Sequence, residues 1–168
     1  MNVITHALLP ALLAAPLLTR NSPAAFYGAG AFVALSGALP DVLNPHLALA
    51  ARYASWSHTV FALAGFGVLL ALVRLLAPDF LTWKLALLSW FAYGLHLGCD
   101  AISGGIVFFR PVSLTVIGPH RRWVSYHWWM WLDLVCITAT LALGIVMSHR
   151  FAREERGATK PDHRQSAG

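Results

Sequence analysis

The stretch LTWKLALLSWFAYGLHLGCDAI at residues 81–102 decides the fold. Lys84 stands near its start, His96 and Asp100 stand near its end, and no charged residue lies between Lys84 and His96. A bilayer core of about 30 Å takes about 20 residues of helix, so this stretch reads as a transmembrane helix with its chemistry gathered at one end. Working outward, apolar runs at 3–19, 24–40, 59–77 and 125–147 complete a set of five spans. The first two are short and are interrupted by Pro10, Pro16 and several glycines. Their small residues, Gly28, Gly30, Gly37 and Ala38, suit close helix contact, because lipid gives helices no hydrophobic reason to associate. The expected fold is therefore all-α, a membrane bundle of about five helices over residues 1–148. A polar, basic tail at 149–168 follows, expected to be disordered beyond its first turns.

Composition supports this reading. Hydrophobic residues make up 58% of the chain and charged ones 11%, against about 25% charged in soluble domains, which excludes an ordinary soluble globule. The net charge of +5 is concentrated in Arg150, Arg153, Arg156, Lys160 and Arg164, so it marks a tail and not a nucleic-acid-binding face. Cys99 and Cys136 sit inside apolar runs and form neither a disulfide framework nor a zinc knuckle. The apolar run at 7–18 has no basic segment before it, so it reads as a retained helix and not a cleaved secretory signal. Arg20, Arg74, Lys84 and the tail flank one side, while Arg52, Arg110, Arg121 and Arg122 flank the other. The richer side is expected in the cytoplasm, which places the C-terminus there.

The parity of the spans brings the polar residues together. His6 opens the first span, Asp41 closes the second, His58 opens the third, His96 and Asp100 end the fourth, and His127 opens the fifth. All of these approach the same membrane face, whereas residues scattered without purpose would fall on either. His96 and Asp100 are four apart and share one helical face. Imidazole and carboxylate are the usual zinc ligands, so His6, Asp41, His58, His96 and Asp100 form a candidate site for a divalent metal, zinc before manganese. Each residue alone reads as well as a cap, a turn residue or a headgroup neighbour. Together, at membrane depth, they read as functional. His46, His120 and His127 are weaker candidates. Asp133 is offset from His127 by about 120° around the helix and reads either as a support for a ligating imidazole or as a partner of a nearby Ser or Trp.

The loop after residue 102 lies on the site's face and carries Arg110, Arg121 and Arg122, which suit the anionic part of a substrate or, equally, lipid headgroups without selectivity. At this point the pieces Thr5-His6-Ala7-Leu8-Leu9, Leu39-Pro40-Asp41, Ser57-His58-Thr59, His96-Leu97-Gly98-Cys99-Asp100 and Arg110-Pro111-Val112-Ser113 resemble, in order and spacing, the YdjM-like family of inner-membrane metal-dependent hydrolases. The resemblance implies a helical inner-membrane protein whose His and Asp residues hold a metal for hydrolysis. One departure is visible: members often carry a His-Arg pair shortly before the Ser/Thr-His element, where this chain reads Arg52-Tyr53-Ala54-Ser55-Trp56-Ser57-His58.

The expected function is metal-dependent hydrolysis of an ester or phosphoester of a membrane-associated, lipid-like or phosphorylated substrate, with Asp41 or Asp100 taking the proton from water. Two other readings use the same residues. Histidines on neighbouring helices can ligate haem for electron transfer. Alternatively, the polar cluster merely holds together the helices of an interaction or transport protein.

Overall fold

The computed structural model describes residues 3–18, 21–45, 49–118 and 126–158. Expectations placed on Arg20, His46, His120, Arg121, Arg122 and the last part of the tail lie outside the described residues, as does the side chain of His127. The chain forms helices α1 (Val3–Ala14), α2 (Pro23–Leu43), α3 (Leu49–Ala54), α4 (Val60–Leu76), α5 (Trp83–Ile102) and α6 (Tyr126–Ala158), with a 3₁₀ turn at Ala15–Leu17. No strand occurs among the described residues; Ile106 and Ile117 form a single antiparallel bridge in the loop after α5. The fold class is the expected all-helical membrane bundle.

Three of the helices, α2, α5 and α6, are long and apolar enough to cross a membrane, while α1 and α4 are shorter apolar helices. α1 ends earlier than the apolar run that carries it, since Pro16 follows Ala14 closely and a proline cannot continue the hydrogen-bond ladder. α6 continues past the apolar run as far as Ala158. The short α3 was not expected; it fills the connection between α2 and α4 on the site's side.

Local chemistry sets most helix starts. Ser22, Thr59 and Thr82 cap α2, α4 and α5, each hydroxyl accepting from the amide three residues on, and Pro23 occupies the first turn of α2. α1 is capped from outside. The Asp133 carboxylate of α6 accepts from both the amide and the hydroxyl of Thr5 in the first turn of α1, where the helix dipole favours negative charge. The buried Asp133 thus holds the residue before His6.

α2 lies at the centre, packed against α1 and α5; α6 covers α1 and α4 covers α5. At the end remote from the site, Ala14, Leu18, Phe26, Val33, Ala92, Met147 and Phe151 form one apolar core. Beneath the site, Tyr93, Leu97 and Ile106 form another, with Leu39, Leu63 and Phe66 against them. Outward positions such as Leu35, Leu75, Leu87, Leu141 and Val146 are exposed, as a helix surface solvated by lipid requires.

The α1–α2 contact depends on Gly37. A Cβ there would lie 2.3 Å from the His6 carbonyl oxygen and 2.6 Å from Pro10 Cγ, so the backbones meet with no side chain between them. Pro10 contributes twice: its ring packs on Gly37, and its missing N–H removes the helical donor that would otherwise take the His6 carbonyl. We expect Gly37→Ala to force α1 and α2 apart and to cost about 1–3 kcal/mol, read as a lowered melting temperature of the detergent-purified protein. Gly28→Ala, whose added Cβ meets nothing within 4 Å, should melt like the unsubstituted protein.

Candidate metal centre

Each functional side chain is held at the same end of the bundle. On α5 the buried positions Ala86, Ser89, Tyr93, His96, Leu97 and Asp100 recur every three or four residues, so the face that enters the bundle delivers His96 and Asp100 one turn apart. Asp41 is in the last turn of α2. His58 immediately precedes the Thr59 cap of α4. His6 lies in the first turns of α1.

The connection before α4 is tied down by its own polar atoms. Ser57 Oγ donates to the Pro40 carbonyl at 2.7 Å, which brings His58 to Asp41. The Tyr93 hydroxyl donates to the Ser57 carbonyl at 2.6 Å, which brings the same segment to α5. The amide of Val60 donates to the Phe108 carbonyl at 2.9 Å, which joins it to the loop after α5.

Four donors converge. His58 Nε2 lies 3.2 Å from His96 Nε2, 3.3 Å from Asp41 Oδ1 and 3.3 Å from Asp100 Oδ2. His96 Nε2 lies 3.4 Å from Asp100 Oδ2 and 3.7 Å from Asp41 Oδ1. Four ligands about 2.0–2.1 Å from one zinc ion stand about 3.3–3.4 Å apart along the edges of a tetrahedron, so these separations are those of a coordination shell. Asp41, His58, His96 and Asp100 all offer a ligand atom within 4.8 Å of one another.

Outer contacts aim the imidazoles inward. His96 Nδ1 donates to the Gly37 carbonyl at 2.7 Å, which leaves the Nε2 lone pair facing the cluster. His58 Nδ1 is 2.8 Å from Ser55 Oγ and 3.2 Å from Ser57 Oγ, with its Nε2 on the cluster. Asp100 is wholly buried, and its Oδ2 has no hydrogen-bond partner. A fully buried carboxylate oxygen facing two imidazole nitrogens and a second carboxylate is costly unless a cation satisfies it. The donor set thus fits a divalent metal; Asp41, only half-buried, marks the accessible edge.

His6 is outside this group of four. Its Nε2 lies 3.2 Å from Asp100 Oδ1, the oxygen turned away from the other ligands, and its ring stacks on His96 at 3.8 Å between centroids. Arg52, which the sequence reading treated only as a flanking charge, also reaches Asp100 Oδ1, at 3.2 Å, and donates to Ser103. Ser55, Ser57 and Tyr93 were likewise not anticipated as supports. Arg110 donates to the Tyr53 carbonyl at 3.3 Å.

The model of the YdjM inner membrane protein family matches residues 1–160, well beyond the elements that carry the resemblance. No curated protein and no solved structure matches the chain.

Protein stripped with a chelator in detergent should take up one equivalent of zinc or manganese, release protons as it does so, and melt at a higher temperature. His96→Ala should abolish the uptake and the metal-dependent rise. If instead the metal content of His96→Ala equals that of the unsubstituted protein while its fold is lost, the cluster is a helix-holding device.

Proposed function

The chain belongs to the YdjM inner membrane protein family, and from that premise we propose that it is a membrane-embedded, metal-dependent hydrolase of an ester or phosphoester. The observation that carries this is the convergence of donor atoms of Asp41, His58, His96 and Asp100 within 4.8 Å of one another, around a buried carboxylate oxygen with no hydrogen-bond partner. Zinc suits the two imidazoles and two carboxylates, and manganese is the alternative. When bound, such a cation supplies Lewis-acid polarisation of the scissile group and lowers the pKa of water from 15.7 to about 7.

The chain's own residues then divide the work. His58 and His96 are oriented by Ser55 and the Gly37 carbonyl, so they do not swing on binding. Asp100 is clamped from behind by Arg52 and His6 and serves as a fixed ligand. Asp41 has the longest separation from its neighbours and is the less buried carboxylate of the two, so it is the one placed to take the proton from the attacking water. A second ion with His6 as ligand would sit on the Oδ1 side of Asp100, against the Arg52 guanidinium, whose charge opposes it. One ion is therefore the expected stoichiometry. Arg110, with Arg121 and Arg122 further along the sequence, is proposed to hold the anionic part of the substrate. Arg74, Lys84 and the basic end of α6 lie at the opposite end of the bundle, and we place that end, with the C-terminus, in the cytoplasm.

The haem reading is disfavoured by the same geometry: His58 Nε2 and His96 Nε2 are 3.2 Å apart with carboxylates beside them, which leaves no room for a porphyrin between them.

The test is hydrolysis of soluble aryl esters and aryl phosphodiesters by chelated and reloaded protein. Activity should return with zinc or manganese, and Asp41→Asn should lower kcat by about 10²–10⁴-fold with the folded state retained. Reloaded protein that binds metal yet hydrolyses nothing in either class would overturn the proposal.

A further inference from the structure

We propose that the apolar groove beside the metal centre holds one acyl chain of a phosphate-bearing membrane glycerolipid, with the phosphate at Arg110. The inference deepens the hydrolase reading and rests on it for the bond that reacts, but the occupancy of the groove stands on separate observations.

The groove has a volume of about 760 Å³ and is open along one side. Leu39, Ala62, Gly65, Phe66, Leu69 and Tyr93 form much of its wall. The positions on α4 from Phe61 to Leu69 extend it along about 12 Å of helix, close to the depth of one leaflet of a core about 30 Å thick. Its upper end adjoins the ligands: Thr59 follows His58, Leu39 precedes Asp41 by one turn or less, and Tyr93 lies one turn below His96. A lipid chain lying in this groove would run as chains run in a leaflet, from the midplane toward the headgroups. Its first linkages to the headgroup would then arrive beside the half-buried Asp41.

The polar atoms sort the occupant further. The Thr59 hydroxyl donates to the Trp56 carbonyl at 2.9 Å and the Tyr93 hydroxyl to the Ser57 carbonyl at 2.6 Å, so neither is offered to the groove. Arg110 is the one charged residue on the wall. It donates to the Tyr53 carbonyl, and among the described residues no carboxylate pairs with it. A guanidinium at the mouth of an apolar groove complements a chain with an anionic head. Gly65 faces open space, since a Cβ at that position would meet nothing within 4 Å.

The experiment uses the full chain in maltoside micelles, where no other phosphate competes, with two photoreactive probes bearing a diazirine near the end of one acyl chain: a phosphatidic acid and the matching diacylglycerol. Labelled residues are mapped by mass spectrometry, with and without chelator. The phosphatidic acid should label the groove face of α4 around Gly65 to Leu69 at least fivefold more than the diacylglycerol does, and chelation should not change this. Gly65→Phe should remove that labelling, and Arg110→Gln should remove the advantage of the phosphatidic acid while the groove is still labelled. Both variants should keep the elution volume of the unsubstituted protein; if Gly65→Phe does not, the Arg110→Gln comparison decides. Equal labelling by the two probes, unchanged by Arg110→Gln, would overturn the proposal and leave an ordinary annular lipid contact. Labelling as expected without any metal-dependent hydrolysis would defeat the catalytic reading alone.

Discussion

A carboxylate with no solvent exposure, at the end of a membrane helix, is the constraint from which the rest of this structure follows. Removing Asp100 from water costs several kcal/mol unless its oxygens are surrounded by donors or cations. The two oxygens are treated differently. Oδ1 receives Arg52 and His6, from α3 and α1, while Oδ2 faces His58 and His96. Four separate segments must therefore end at one point, and the bundle's connections are arranged to bring them there. α3 exists in order to carry Arg52 in; the Ser57 and Tyr93 hydrogen bonds hold the following turn so that His58 cannot withdraw.

Packing between helices serves the same end. The near contact of α1 and α2 at Gly37 puts the Gly37 carbonyl within reach of His96 Nδ1, so one residue both admits α1 and fixes the tautomer of a ligand. Asp133, far away in sequence, closes the first turn of α1 through Thr5 and so sets the helix that presents His6. A residue that read either as a support for a ligating imidazole or as a partner of a nearby Ser or Trp is thus a positional restraint on the helix that presents His6.

The helical bundle and the shared face of the site were legible because both rest on short-range regularities. Apolar length counts spans, parity assigns each span's ends, and a spacing of four on α5 puts His96 and Asp100 on one side. Asp41 and His58 were found by the same parity. What could not be read depended on which helix neighbours which. Arg52 looked like one more interfacial charge, since nothing in Leu49–Ala54 tells that it turns inward to a carboxylate on α5. The partner of Asp133 lies 128 residues away, and no local pattern joins them. His6 arrived at the same end of the bundle but faces Asp100 Oδ1, whereas His58 and His96 face Oδ2, a distinction of a few ångströms that parity cannot make.

Charge balance ties the centre to its surroundings. Asp41 and Asp100 together outweigh Arg52 by one negative charge. A divalent cation held between them would leave the centre with a single positive charge in a low-dielectric setting, where such an excess acts over several ångströms. On the proposed function, that polarity would favour an anionic or anion-developing group at the edge beside Asp41. It also accounts for why the neighbouring loop presents Arg110 and not an acidic residue: a carboxylate there would compete with the substrate for the centre, whereas a guanidinium extends the same field toward the groove from which a lipid would approach.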